Sequence, residues 1–167
     1  MRLKDHSPLH ALRHRAVAVL GAVVLLAGFA VSTATVAQAA GGTGAITGYQ
    51  GLCLDDRSAS TAEYNPIQVY TCNGTNAQQW TVESNDTLEV LGMCLDVDAA
   101  GTANGTLVDL YTCNGTGAQI WVPQPGGALR NPNSGKCLDD PGSSTTVSTQ
   151  LEIWDCNTGS NQSWTLP

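Results

Sequence analysis

The sequence predicts an all-β domain of three equivalent units that close on one another, and three observations carry that prediction. A Cys-Leu-Asp triplet occurs three times, at Cys53-Leu54-Asp55, Cys94-Leu95-Asp96 and Cys137-Leu138-Asp139. In every copy a second cysteine follows the first by nineteen residues (Cys72, Cys113, Cys156), and a tryptophan lies eight residues beyond it (Trp80, Trp121, Trp164). Each copy also holds an apolar-polar alternation with the period of a strand: Ile67-Gln68-Val69-Tyr70, Val108-Asp109-Leu110-Tyr111 and Leu151-Glu152-Ile153-Trp154. Beyond residue 39 no stretch of ten or more residues has helical periodicity, because Gly-, Asn- and Thr-rich connectors interrupt it.

Taken in chain order, residues 1–39 read as a secretory signal peptide. The first fifteen residues hold four of the seven Lys and Arg, Ala16 to Val31 is an uncharged apolar run, and Ala37-Gln38-Ala39 has the small-x-small pattern of a cleavage site. The run has 16 residues, short of the ~20 that span a bilayer. The expected location is therefore extracellular, with a mature domain at 40–167. That part keeps three basic residues (Arg57, Arg130, Lys136) against thirteen acidic ones, a net charge of −10. Such a surface repels phosphate backbones and anionic lipid, so neither nucleic acid nor, after signal cleavage, a membrane is expected as a partner. All three histidines fall within the leader, which removes His-based catalytic triads and His-ligated metal sites from consideration.

The repeats span about 44–83, 84–126 and 127–167. The distance from first cysteine to tryptophan is 27 in each, while the period is 41 and then 43, so the two extra residues lie between Trp121 and Cys137. Each tryptophan ends a Gln-x-Trp, with Gln78, Gln119 and Gln162 as the glutamines. Asn-Gly turn signals stand at Asn73-Gly74, Asn104-Gly105 and Asn114-Gly115. The N-x-T triplets beginning at Asn73, Asn85, Asn104 and Asn114 fit glycosylation acceptors or turn-forming asparagines equally well. Three units are too few for a propeller, and an open solenoid would expose apolar ends, so closure on a shared core fits best. Six cysteines in a small secreted chain read as a disulfide framework, and no C-x-x-C pair suggests a zinc ribbon.

Three C-L-D triplets in register with three cysteine pairs and three Q-x-W motifs resemble the ricin-B-type lectin domain, also called the family-13 carbohydrate-binding module. The resemblance covers about Gly44 to Pro167. It implies a β-trefoil, three four-stranded lobes around a pseudo-threefold axis. Of the fifteen possible pairings of six cysteines, the repeat favours Cys53–Cys72, Cys94–Cys113 and Cys137–Cys156, the within-lobe bond that the family also has. Each closes a loop worth about 3 kcal/mol in the chain-entropy model. Trp80, Trp121 and Trp164 read as core residues, and Gln78, Gln119 and Gln162 as turn braces.

The resemblance also implies the binding residues. A sugar offers hydroxyls and an apolar C–H face, and it is held by a carboxylate or amide together with a flat ring. The family's key carboxylate corresponds to Asp55, Asp96 and Asp139. Its stacking ring, two residues before the second cysteine, corresponds to Tyr70, Tyr111 and Trp154. A supporting Gln falls on Gln68 in the first unit but on Asp109 and Glu152 in the others. A supporting Asn before the Gln-x-Trp is present only as Asn161, with Ala77 and Ala118 in its place elsewhere. The second unit departs at both supporting positions, and the first and third are expected to be the better sites.

The function expected is that of a non-catalytic, monomeric carbohydrate-binding protein without cofactor or metal, recognising galactose-type or xylan-type glycans. Glycoside hydrolysis needs only two carboxylates. The adjacent pairs Asp55-Asp56 and Asp139-Asp140, however, point to opposite faces of a strand. Some β-trefoils inhibit proteases through one exposed loop, but nothing here marks a reactive loop. A metal site from Asp96 with Asp98 lacks the spaced ligand loop of a calcium site.

Overall fold

The computed structural model describes residues 42–167, so the signal-peptide reading lies outside the described residues. Twelve strands follow in order: β1 (Thr43–Gly44), β2 (Cys53–Asp56), β3 (Asn65–Tyr70), β4 (Trp80–Val82), β5 (Leu88–Val90), β6 (Met93–Val97), β7 (Thr106–Tyr111), β8 (Val122–Pro123), β9 (Leu129–Asn131), β10 (Lys136–Asp139), β11 (Thr149–Gln150) and β12 (Glu152–Trp154). Single turns of 3-10 helix punctuate them. Among the described residues no helix is long and apolar enough to cross a membrane.

The hairpins β2–β3, β6–β7 and β10–β12 are the repeated motif. Each places the same pairs opposite one another. Leu54 faces Val69, Leu95 faces Leu110 and Leu138 faces Ile153, and all six are fully buried. Alternation then sends the neighbouring pairs to the other face: Asp55 with Gln68, Asp96 with Asp109, Asp139 with Glu152. The long strands also pair with one another in a ring. β3 meets β7 at Asn65–Leu110, β7 meets β12 at Leu107–Glu152, and β11 meets β3 at Thr149–Val69. The ends of the described chain are tied as well, since Thr47 and Thr165 exchange two backbone hydrogen bonds of 3.0 and 2.8 Å.

Trp80, Trp121 and Trp164 fill the centre with 0, 0 and 4 % of their surface exposed. Each indole Nε1–H donates to the carbonyl of the leucine in its own Cys-Leu-Asp triplet: Trp80 to Leu54 at 2.9 Å, Trp121 to Leu95 at 3.0 Å, Trp164 to Leu138 at 3.1 Å. A buried indole needs such a partner. The disulfides join Cys53 to Cys72, Cys94 to Cys113 and Cys137 to Cys156, with Cα–Cα distances of 5.1, 5.1 and 5.0 Å.

The two extra residues of the third repeat fall in one turn. β5 and β6 are joined by the two residues Leu91-Gly92, both with positive φ (52° and 77°), as a tight hairpin demands. β9 and β10 are joined by four, Pro132 to Gly135. The buried Asn131 stabilises this longer turn. Its Oδ1 accepts from the Ser134 N–H at 2.9 Å, while its Nδ2 donates to the Gly117 and Ile120 carbonyls at 2.8 and 3.0 Å. Two of the three Asn-Gly pairs lie outside the hairpins. Asn73-Gly74 and Asn114-Gly115 follow the long strands, where Asn73 and Asn114 accept from the Thr75 and Thr116 N–H groups at 3.0 and 2.9 Å. Asn104-Gly105 forms the last turn of the β6–β7 connection, with the Thr106 N–H donating to the Ala103 carbonyl at 3.2 Å. Side-chain bonds of this kind form an Asx-turn and compete with the two-residue hairpin turn.

Because each tryptophan both fills the core and caps a leucine carbonyl, Trp121→Ala should cost about 3–5 kcal/mol. Guanidinium unfolding of the disulfide-intact protein measures it, and a loss below about 1 kcal/mol would contradict this packing.

Candidate functional site

Three concave faces lie on the outer sides of the hairpins. The first is a cleft of about 580 Å³ bordered by Asp55, Gln68, Tyr70 and Arg57. Strand alternation points Asp55 outward from β2, opposite Gln68 on β3. Asp55 is held from two sides, with Oδ1 accepting from Gln68 Nε2 and Oδ2 from Gln78 Nε2, each at 2.8 Å. An ionised carboxylate has about four acceptor positions, so roughly two remain for a ligand. Arg57 Nε donates to Gln68 Oε1 at 2.8 Å, which fixes the amide with its NH₂ toward Asp55. Gln78 also accepts from the Asn73 N–H (2.9 Å) and donates to the Thr71 carbonyl (3.1 Å), bracing the loop after β3.

The third face, about 200 Å³, is lined by Asp139, Glu152, Trp154 and Asn161. Asp139 Oδ2 accepts from Asn161 Nδ2 and Gln162 Nε2, both at 2.7 Å. Gln162 braces its loop through the Asn157 N–H and the Asp155 carbonyl, at 2.8 and 3.1 Å. Trp154 is 43 % exposed, an open indole face beside a fixed carboxylate. Burial first and then the Asp139 charge raise the Glu152 carboxyl above its usual range. Burial likewise raises Asp139, against the lowering effect of its two amide donors.

The second face, about 250 Å³, is the most apolar of the three, with Tyr64, Tyr111 and Ala99 around Asp96. Asp109 stands opposite Asp96, and its buried Oδ1 has no hydrogen-bond partner. Burial and then the charges of Asp96 and Asp98 push its carboxyl up to about 7. Gln119 braces the following loop, accepting from the Asn114 N–H at 2.9 Å and donating to the Thr112 carbonyl at 3.0 Å. Thus each key aspartate lies in a concavity with its aromatic partner, and the glutamines of Gln-x-Trp stand behind, buried.

Two contributors escaped the sequence reading. Arg57 orients Gln68, and its Nη2 donates to the Ser148 carbonyl at 3.4 Å. Tyr64, 61 % exposed, packs edge-on against Tyr111 with ring centroids 5.2 Å apart. Both reveal one rule, that each face is bordered by a loop from a neighbouring unit. Tyr64 of the first unit borders the second face, Gly105 of the second approaches Glu152 and Trp154, and Ser148 of the third borders the first. These residues are separated by the repeat periods of 41 and 43 and all have positive φ (64°, 84°, 68°). Aligning the repeats puts them in one column, but only the ring of strands shows which face each reaches.

Beneath the faces lie two fully buried carboxylates, Asp56 and Asp140. Burial pushes both up to about 6, partly offset at Asp56 by the Asn65 amide. An acid whose pKa is raised on folding makes the native state bind more protons than the unfolded chain. Its destabilising effect is absent below the unfolded pKa near 4 and complete above the folded pKa. The domain should therefore gain stability as pH falls from about 7.5 to 4.5, with Asp140→Asn flattening the profile. Thermal melts across that range test this, and a stability that rises with pH would contradict it.

The chain from residue 42 to 164 matches the family described as the ricin-type beta-trefoil lectin domain. Among solved structures it is similar to a designed threefold-symmetric protein, ThreeFoil, at 29 % identity and TM-score 0.69, covering 73 % of this chain and 95 % of that one. It is similar to the agglutinin of Abrus precatorius at 27 % identity and TM-score 0.70, covering 80 % and 51 %. A non-toxic homologue of type II RIPs from Momordica charantia, solved with α-methyl-D-galactoside, is 26 % identical with TM-score 0.68, covering 75 % and 47 %. The chain thus spans about half the length of the two plant proteins. No curated protein sequence matches it. Its fold, its three disulfides and the match over residues 42–164 place this chain in the ricin-type β-trefoil lectin family, whose domain is one of carbohydrate binding.

Proposed function

We propose that this is a secreted, non-catalytic, monomeric lectin. A signal peptide at 1–39 precedes one trefoil of three pseudo-threefold repeats at 40–167, which holds galactose-type sugars at shallow sites on up to three faces. The observation that carries the reading is the recurrence, at each face, of one buried aspartate beside one accessible ring. At the first and third faces side-chain amides hold that aspartate in place, at 2.7–2.8 Å. Such a carboxylate accepts from two neighbouring hydroxyls and orients the sugar, while Tyr70 or Trp154 covers its C–H face. Galactose is the favoured class because the Momordica charantia relative was solved with a galactoside.

Open polar faces compete with water for every hydrogen bond. The affinity per face is accordingly weak, a Kd of about 10 μM to 1 mM, and several faces on one domain gain avidity on a polymer. Three disulfides and an acidic surface suit an extracellular setting. Repetition in threes and the opposite faces of Asp55 and Asp56 support binding over hydrolysis.

A glycan array with the disulfide-bonded chain should show binding to terminal galactosides that free galactose competes away. Asp55→Ala with Asp139→Ala should weaken it at least tenfold at unchanged fold. Retention of full binding by the double variant would contradict the assignment of these aspartates.

A further inference from the structure

The second face departs from the others in its hydrogen-bonding chemistry. At the first and third faces two amides serve the key carboxylate, Gln68 and Gln78 for Asp55, Asn161 and Gln162 for Asp139, whereas Asp96 has Gln119 alone. At the second, Asp109 occupies the place of Gln68, directly across from Asp96. When both are ionised, the two carboxylates there accept and donate nothing. Asp109 is 4 % exposed, and its Oδ1 is without a partner. Two more acids stand close. Asp98 acts on both aspartates, and Glu63 accepts from Thr112 Oγ1 at 2.8 Å and sits beside the Tyr111 hydroxyl. The three basic side chains of the described residues are elsewhere. Arg57 serves Gln68 at the first face, Lys136 pairs with Asp155 at 2.7 Å, and Arg130 lies on β9.

The opposite wall is aromatic. Tyr64 and Tyr111 meet edge to face at an interplanar angle of 69°. Two tyrosine rings beside Asp96, which has Gln119 as its one amide donor, and behind it Asp109, whose Oδ1 has none, define a complementary ligand. It must bring several donors, a positive charge and an apolar ring face. An ammonium group has three donors and no acceptor, relieves a buried unpaired carboxylate, and is attracted to tyrosine faces. A neutral hydroxyl brings one donor and no charge.

We propose that the second face takes a sugar carrying a protonated amine, with the ammonium against Asp96, next to the charge of Asp109 behind it, and the ring against Tyr64 and Tyr111. This rests on the carbohydrate-binding reading above and adds a ligand class for one face. It divides the domain into two faces for neutral sugars and one for an amino sugar.

The test uses the disulfide-bonded chain with D-galactosamine, D-galactose and N-acetyl-D-galactosamine. NMR follows the rings of Tyr64 and Tyr111 for the second face, Tyr70 for the first and Trp154 for the third. Galactosamine should move Tyr64 and Tyr111 at pH 7 with a Kd at least tenfold below that of either neutral sugar. That preference should grow between pH 5.5 and 7, as Asp109 loses its proton. Asp109→Gln replaces the second carboxylate with the amide that the first face has at Gln68 and should abolish the preference, with the Tyr70 and Trp154 titrations reporting that the variant is folded. Equal affinities overturn the inference, as does a neutral-sugar response that weakens with rising pH, which would mean that protonated Asp109 acts as Gln68 does. A response of Tyr70 or Trp154 with none at Tyr64 and Tyr111 also overturns it. In each of these cases the lectin reading stands, whereas silence at all three faces toward every sugar overturns both.

Discussion

A hydrogen bond between a buried indole and the carbonyl of a leucine twenty-six residues earlier holds each repeat together, and the candidate sites depend on it. The leucine lies between a cysteine and an aspartate on one strand. Alternation does the rest. With the leucine side chain locked in the core, the cysteine and the aspartate must face outward, the one into the disulfide and the other into the concavity. A one-residue slip of β2 against β3 would bury Asp55 in the apolar centre and expose Leu54. The indole bond, the disulfide and the Leu54–Val69 packing all select the register that avoids this. The geometry of the faces is thus inherited from the core.

On that shared frame the faces differ in polarity. The first carries an amide and a guanidinium chain, in which Arg57 orders Gln68 and Gln68 orders Asp55. The third carries an asparagine and an open tryptophan. The second carries a carboxylate pair and two tyrosines. None of these differences disturbs the core, because every one falls on the outward side of a hairpin or in a loop. Loops from neighbouring units supply the third border of each face, so the ring of strand pairings shapes the faces as well as the core.

The repeat makes the all-β class, the disulfide pairing and the outward residues legible without coordinates. C-L-D and Q-x-W encode a register, and register is what strands need. Less legible is anything that depends on how units meet. Arg57 is an ordinary loop residue until β11 pairs with β3 and brings Ser148 to it. Tyr64 reads as a polar-loop tyrosine until β3 pairs with β7 and sets it against Tyr111. The Asn-Gly pairs are turns, but the Asx-turn bonds at Asn73 and Asn114 set two of them in the loops after the long strands. The burial of Asp56 and Asp140 stays hidden because periodicity gives the direction of a side chain but not the depth of what covers it.

Trp154 offers the most direct test of the central claim, that sugars lie against the outward aromatic and its aspartate. The other three tryptophans are buried in the core, so Trp154 is the one exposed indole among the four. Tryptophan fluorescence should shift as galactose is titrated in, with the shift lost in Trp154→Phe and in Asp139→Ala. Sugar binding detected by calorimetry that leaves Trp154 emission unchanged and survives Asp55→Ala with Asp139→Ala would place the ligand away from the outward aromatics and contradict the account.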